Sequence, residues 1–205
     1  MGQQVRVDRE LIFAPGATIS GIPGQGQGRT YYVNNITGSA TSDGLSWNSA
    51  ASEVERAIGL SETYRQLGGG APTVTTNDHI RNTIIVQGTG TAYALITNIP
   101  NYTNLIGLGA DPRGNGSGIA QVDGAGATAM TVSSAGCRGL HMVNMQFDQS
   151  SAASVYGLDA AKLFRSIIED CAFTNQGTSG IRIVLGGGVT MRNVTCSNDT
   201  VGLQG

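Results

Sequence analysis

The sequence predicts an all-β fold: a solenoid of the parallel β-helix type with a capping α-helix and an extended arm at its N-terminal end. Two observations carry the prediction. Three segments can be laid over one another: Leu140-His141-Met142-Val143-Asn144-Met145-Gln146-Phe147, Ser166-Ile167-Ile168-Glu169-Asp170-Cys171-Ala172-Phe173 and Val189-Thr190-Met191-Arg192-Asn193-Val194-Thr195-Cys196, at offsets of 26 and 23 residues. Repeats of this length mean stacked units, and each copy alternates with the period of a strand. The second observation is composition. Glycine fills 31 of 205 positions and charged residues only 13%, against usual shares of about 7% and about 25%. Turns, small residues and neutral polar side chains suit a β-solenoid. Disorder is excluded by an apolar content of 40% and a net charge of −2.

Each copy carries two short alternating pairs around a two-residue break. The break ends in Asn144, Asp170 or Asn193 and lacks the glycine of a tight hairpin. A corner that keeps both pairs facing one interior fits, because Asn and Asp tolerate the left-handed backbone it needs. Stacking then sets Asn144, Asp170 and Asn193 in one column, with a rise of about 4.8 Å per turn. The inward columns become Leu140/Ser166/Val189, Met142/Ile168/Met191, Met145/Cys171/Val194 and Phe147/Phe173/Cys196. The outward columns become His141/Ile167/Thr190, Gln146/Ala172/Thr195 and Asp148/Thr174/Ser197, a wetted wall with Ile167 as an exposed apolar spot. Val143/Glu169/Arg192 puts opposite charges on neighbouring turns.

Taken in order, residues 1–28 form the arm. Leu11, Ile12 and Phe13 end a short strand-like stretch, and the Gly/Gln-rich run after it cannot pack. Residues 29–78 form the capping segment. Tyr31-Tyr32-Val33 starts a strand, Trp47 is expected as a core anchor, and a helix is expected over 51–67. Ser52 with Glu55 fits a capping box. Val54, Ala57, Ile58, Tyr64 and Leu67 give the helix one apolar side, able to plug the open end of a solenoid. A loop over 68–78 follows. Residues 79–205 hold the turns, with strands at 83–86, 94–96, 105–108 and 129–132 and a loop over 110–118. Val201-Gly202-Leu203 reads as the start of another turn. A bare solenoid end is an exposed edge, so the coil is expected to continue past residue 205 or to be covered by partner chains.

Composition also narrows function. Lys162 is the only lysine and the arginines form no stripe, which argues against nucleic acid. No apolar run is long enough to span a membrane, and the first residues lack a secretion-signal pattern. Cys137, Cys171 and Cys196 are odd in number and have no close spacing, so they form no disulfide framework. Cys171 and Cys196 read as small core residues. Neither histidine has a partner at metal-ligand spacing, and no cofactor is expected.

Several stretches resemble a known group. Tyr32-Val33-Asn34, Gly38-Ser39, Asp43-Gly44-Leu45-Ser46-Trp47 and Ala50 ahead of a helix resemble the opening of the pectate-lyase-like (pectin-lyase-like) right-handed parallel β-helix superfamily. Thr83-Ile84-Ile85-Val86 with Gly88 is similar to its next strand. Leu105-Ile106-Gly107-Leu108-Gly109 is similar to its second-turn motif. The resemblance covers about 30–205 and implies a right-handed coil. With the glycine-rich arm, it looks most like bacteriophage virion proteins: tailspikes, tail fibres or capsid-decoration proteins. That implies a homotrimer located in the virion, attached to other virion proteins through the arm, with host polysaccharide as a further partner.

Function has to come from a site, not a fold. The acidic calcium cluster of the superfamily's lyases and the Asn-Thr-Asp, Asp-Asp and Gly-His-Gly elements of its hydrolases are absent from this sequence. Asp148 and Asp170 could approach each other, but Asp170 is assigned to the corner. No catalytic residue is expected within these residues. The leading expectation is therefore a structural virion protein. Its rivals are a polysaccharide lyase or glycoside hydrolase whose catalytic turns lie beyond residue 205, and a bacterial surface adhesin.

Overall fold

The computed structural model describes residues 28–66, 80–97, 99–114, 117–132, 135–148, 156–197 and 201–204, the last by backbone alone. The arm, with Leu11, Ile12 and Phe13, and the expected loop over 68–78 lie outside the described residues, except for Gly28. The chain runs β1 (Thr30–Val33), α1 (Val54–Gln66), β2 (Thr83–Gln87), β3 (Asn104–Leu108), β4 (Gln121–Asp123), β5 (Met130–Val132) and β6 (Cys137–Arg138). It continues as β7 (His141–Val143), β8 (Gln146–Asp148), β9 (Tyr156–Phe164), β10 (Ile167–Glu169), β11 (Ala172–Thr174), β12 (Ser179–Gly187), β13 (Thr190–Arg192), β14 (Thr195–Ser197) and β15 (Val201–Gln204).

These strands build three walls, every pairing between them parallel. Wall A is β1-β2-β3-β7-β10-β13, wall B is β4-β8-β11-β14 and wall C is β5-β9-β12-β15. The chain therefore coils as a parallel β-solenoid of about four turns that carry all three walls. Isolated bridges Tyr93–Val122 and Ile96–Met130 extend walls B and C by one rung. The segment expected as a strand at 94–96 contributes only that bridge.

The register is the one the repeat dictates. His141, Ile167 and Thr190 are partners, as are Phe147, Phe173 and Cys196. Wall A extends the Met142/Ile168/Met191 column to Tyr31/Ile84/Leu105/Met142/Ile168/Met191. Ile84, Leu105, Met142, Ile168, Phe147 and Phe173 are completely buried. Each such side chain contributes about 1.5–3 kcal/mol by leaving water. Met191, Val194 and Cys196 pack on this core but stay partly exposed, since they sit on the last rung whose side chains are described. The three cysteines form no disulfide. Burial pushes the Cys171 thiol up to about 12.

Three local expectations need correction. Trp47 is 39% exposed. It lies in a short 3-10 turn outside wall A, its ring 4.7 Å from that of Tyr32, because Tyr32 occupies an outward strand position. Gln146 and Ala172 face outward but are buried. The loop after β3 covers Gln146, whose Nε2 donates to Pro112 O at 2.8 Å. The helix opens later than the capping box requires. Glu53 O accepts the first helical bond from Ala57 N, and Glu55 bonds Thr97 through both its N–H and its hydroxyl.

The helix nonetheless covers the first rung. Val54, Ala57, Ile58 and Ser61 are its buried residues, at i, i+3, i+4 and i+7. Asn82 pins it there: Nδ2 donates to Ser61 Oγ at 2.7 Å, while Oδ1 accepts Arg29 N at 2.8 Å. Tyr31 adds a bond from its hydroxyl to Leu60 O.

Candidate functional site

The corner between walls A and B holds the Asn/Asp column. Asn144, Asp170 and Asn193 have φ of 54°, 51° and 52°. Asn193 Nδ2 donates to Asp170 Oδ1 at 2.5 Å, while Asn144 Nδ2 turns to Gly107 O at 3.0 Å. The loop after β3 crosses this corner. Arg113 forks onto Asp111 through Nε at 2.8 Å and Nη2 at 2.7 Å, and its Nη1 donates to Asn193 Oδ1 at 2.6 Å. A bond spanning 80 residues thus straps one turn to another along the axis. The guanidinium holds the Asp111 carboxyl below its ordinary range. Arg113→Ala should change global stability by less than about 1 kcal/mol, since such exposed pairs are weak. It should still speed amide exchange across β14 and residues 109–114, which hydrogen-exchange mass spectrometry would read.

On the outer face of wall A, Glu169 joins three turns. His141 Nε2 lies 2.7 Å from Oε1, and Arg192 Nη2 lies 2.5 Å from Oε2. The hydrogen bond to His141 is the main cause of a Glu169 pKa below the usual 4.5, with Arg192 adding to it. A lowered carboxylate pKa stabilises the fold above the unfolded value and loses that contribution as pH falls through the folded value. Urea unfolding should therefore separate the native chain from Glu169→Gln at pH 7. The gap should close progressively below about pH 4.5, the ordinary carboxyl value.

The other walls bind their acids equally fully. Asp148 on wall B accepts from Gln121 Nε2 at 2.9 Å, Thr174 Oγ1 at 2.8 Å and Asn175 Nδ2 at 2.7 Å. Asp159 on wall C takes both Nε and Nη2 of Arg182, at 2.8 and 2.6 Å, and Arg182 also reaches the Tyr156 hydroxyl. A two-carboxylate hydrolase needs one acid able to protonate and one free to act as base or nucleophile. Asp148, Asp159, Glu169 and Asp170 are instead each held by donors of their own chain. Among the described residues, no three His, Cys, Asp or Glu side chains come together as metal ligands.

The sequence reading missed a surface on wall A. Besides Ile167, the outward positions Tyr32, Ile85, Ile106 and Val143 form one column on neighbouring rungs, all partly exposed. Trp47 lies against its first member. The signal was present: Ile84-Ile85 and Leu105-Ile106 are adjacent apolar pairs, so one member of each must face out. Wall B shows Gln121, Asp123, Asp148, Thr174 and Ser197 at its outward positions instead. No family model, no curated protein and no solved structure matches this chain.

Proposed function

We propose that this chain is a structural solenoid of a bacteriophage virion, of the tailspike, tail-fibre or capsid-decoration kind. In this reading it is a homotrimer, attached to other virion proteins through residues 1–28 and exposing its remaining surface to host polysaccharide. The resemblance of the opening turns to pectate-lyase-like β-helices supports it, as does the parallel solenoid itself. The observation that carries it is the apolar column Tyr32/Ile85/Ile106/Val143. A three-fold axis along the coil brings each residue against its own copies. An apolar stretch suits that meeting. The column continues into Glu169 and Arg192, which neutralise each other as an ion pair, whereas wall B would gather Asp148 carboxylates, which hold no cation among the described residues. The paired state of the outward acids argues for scaffold over enzyme.

Light scattering behind a sizing column tests the assembly. Three times the chain mass is expected, with Ile106→Lys and Val143→Lys reducing it to the mass of one chain while circular dichroism is retained. Removal of residues 1–28 should abolish incorporation into particles. New reducing ends or unsaturated sugars released from host polysaccharide would replace this reading with the enzymatic one.

A further inference from the structure

The third corner, where wall C turns into wall A, carries the positive charge that the linear sequence disperses. Aligning on the wall A register places Arg81, Tyr102, Gly139, Arg165 and Gly188 at equivalent positions on successive rungs. Four of these, Tyr102, Gly139, Arg165 and Gly188, have left-handed φ, between 48° and 67°. Arg81 does not stay on its own rung. Its Nη1 donates to Asn104 Oδ1 at 2.9 Å and Gly139 O at 3.0 Å, with the guanidinium 5.6 Å from the Tyr102 ring centre. Gly139 is what lets it pass: a Cβ there would lie 2.6 Å from the Tyr102 ring and 3.2 Å from Arg81 Nη2. Arg138 sits next to Gly139, its guanidinium 6.0 Å from the Phe164 ring centre, and Arg165 follows one rung on. Lys162, exposed, lies opposite Gly136 on the same strand pair.

Arg81, Arg138, Lys162 and Arg165 are thus four of the chain's 12 basic residues, gathered over four successive rungs, with steps of about 4.8 Å between them. Arg113, Arg182 and Arg192 each hold a carboxylate. None of these four ion-pairs with a described carboxylate. Guanidinium forks match carboxylate geometry, and two of them are already braced against aromatic rings, so little order is lost on binding.

We propose that this corner binds an acidic polysaccharide, its carboxylates meeting Arg81, Arg138, Arg165 and Lys162 and its sugars lying along Tyr102 and Phe164. Four cations fall short of the roughly 6–10 phosphate contacts of a salt-sensitive DNA complex, and the net charge of −2 opposes a polyanion as dense as duplex DNA, with about one charge per 1.7 Å, more than a chain with one carboxylate per sugar. This inference deepens the polysaccharide part of the reading above. It stands or falls apart from the trimer and the arm, because the corner lies at the opposite margin of wall A from the apolar column.

The test is calorimetric titration of the whole chain with polygalacturonate oligomers, neutral dextran and a DNA duplex. Polygalacturonate should bind, weaken as salt rises, and lose affinity by about tenfold or more in the Arg138→Ala, Arg165→Asn double variant. Asn is chosen at 165 because it keeps the left-handed backbone, and thermal melting confirms folding. Arg138→Lys, which keeps the charge but not the fork, should bind more weakly than the native chain and more tightly than Arg138→Ala, and Arg182→Ala on wall C should leave binding unchanged. Absence of polygalacturonate binding at low salt, equal binding of dextran, or equal affinity of the double variant would each overturn the proposal. DNA binding tighter than polygalacturonate would replace it with a nucleic-acid surface.

Discussion

Phe173→Ala should lower stability by about 3–5 kcal/mol, the usual cost of removing a buried phenyl ring. A domain of this size holds only about 5–15 kcal/mol in total, so the urea midpoint should fall by about a fifth of its value or more. Phe173 is fully buried, and its ring stacks on Phe147 at 5.2 Å and 12° between planes. Such a pair adds about 0.5–1.5 kcal/mol to area burial alone. The void cannot close easily. Phe147 and Cys196 sit on the neighbouring rungs of wall B, both held by ladder hydrogen bonds. Across the interior, Gly157 has no side chain to move in, and a Cβ there would lie 2.6 Å from the Phe173 ring. Phe173→Leu should cost less, because it keeps most of the volume. Thr190→Ala, exposed on wall A, should stay within about 0.5 kcal/mol. A loss below about 1 kcal/mol for Phe173→Ala would mean that this interior is not packed as described.

The residues that made the fold legible are those in which side-chain type and backbone need coincide. Asn144, Asp170 and Asn193 announce a left-handed corner because their chemistry tolerates it, and Met142, Ile168 and Met191 announce an interior because only apolar groups stack there. The third corner gave no such notice. Tyr102, Gly139, Arg165 and Gly188 share a backbone conformation and nothing in their side chains. Wall C was obscured in the same way: β9 and β12 mix Gly157, Ala160, Ala161, Gly186 and Gly187 among their larger residues, and small residues blur a period of two. Spacing failed before residue 137 because Leu105 and Met142, partners in register, are separated by the strap loop, which lengthens this turn beyond the two-dozen-residue repeat. The basic corner could not be seen in sequence, since Arg81, Arg138, Lys162 and Arg165 become neighbours only through coiling.

Gly107→Ala tests that coiling most directly. The added Cβ would sit 2.0 Å from Asn144 O and 2.8 Å from the Ala120 Cβ. A side chain in the way could rotate, but a backbone carbonyl on the adjacent rung cannot. Asn144 is fixed from both sides: its N–H donates to Glu169 O at 3.2 Å, and its Nδ2 donates to Gly107 O itself. Relief therefore requires β3 and β7 to separate, which breaks wall A in its middle. Overpacking usually costs about 1–3 kcal/mol, and a clash with backbone belongs at or above the top of that range. Gly59→Ala provides the opposite sign in the same chain. Gly59 is exposed on α1, and a Cβ there meets nothing within 4 Å, so the substitution should stabilise by about 0.5–1 kcal/mol through helix propensity alone. Thermal melts of the two variants should move in opposite directions from the native chain. If Gly107→Ala melts with the native protein, rungs three and four are not in the contact that the parallel coil demands, and the columns built on their register lose their basis.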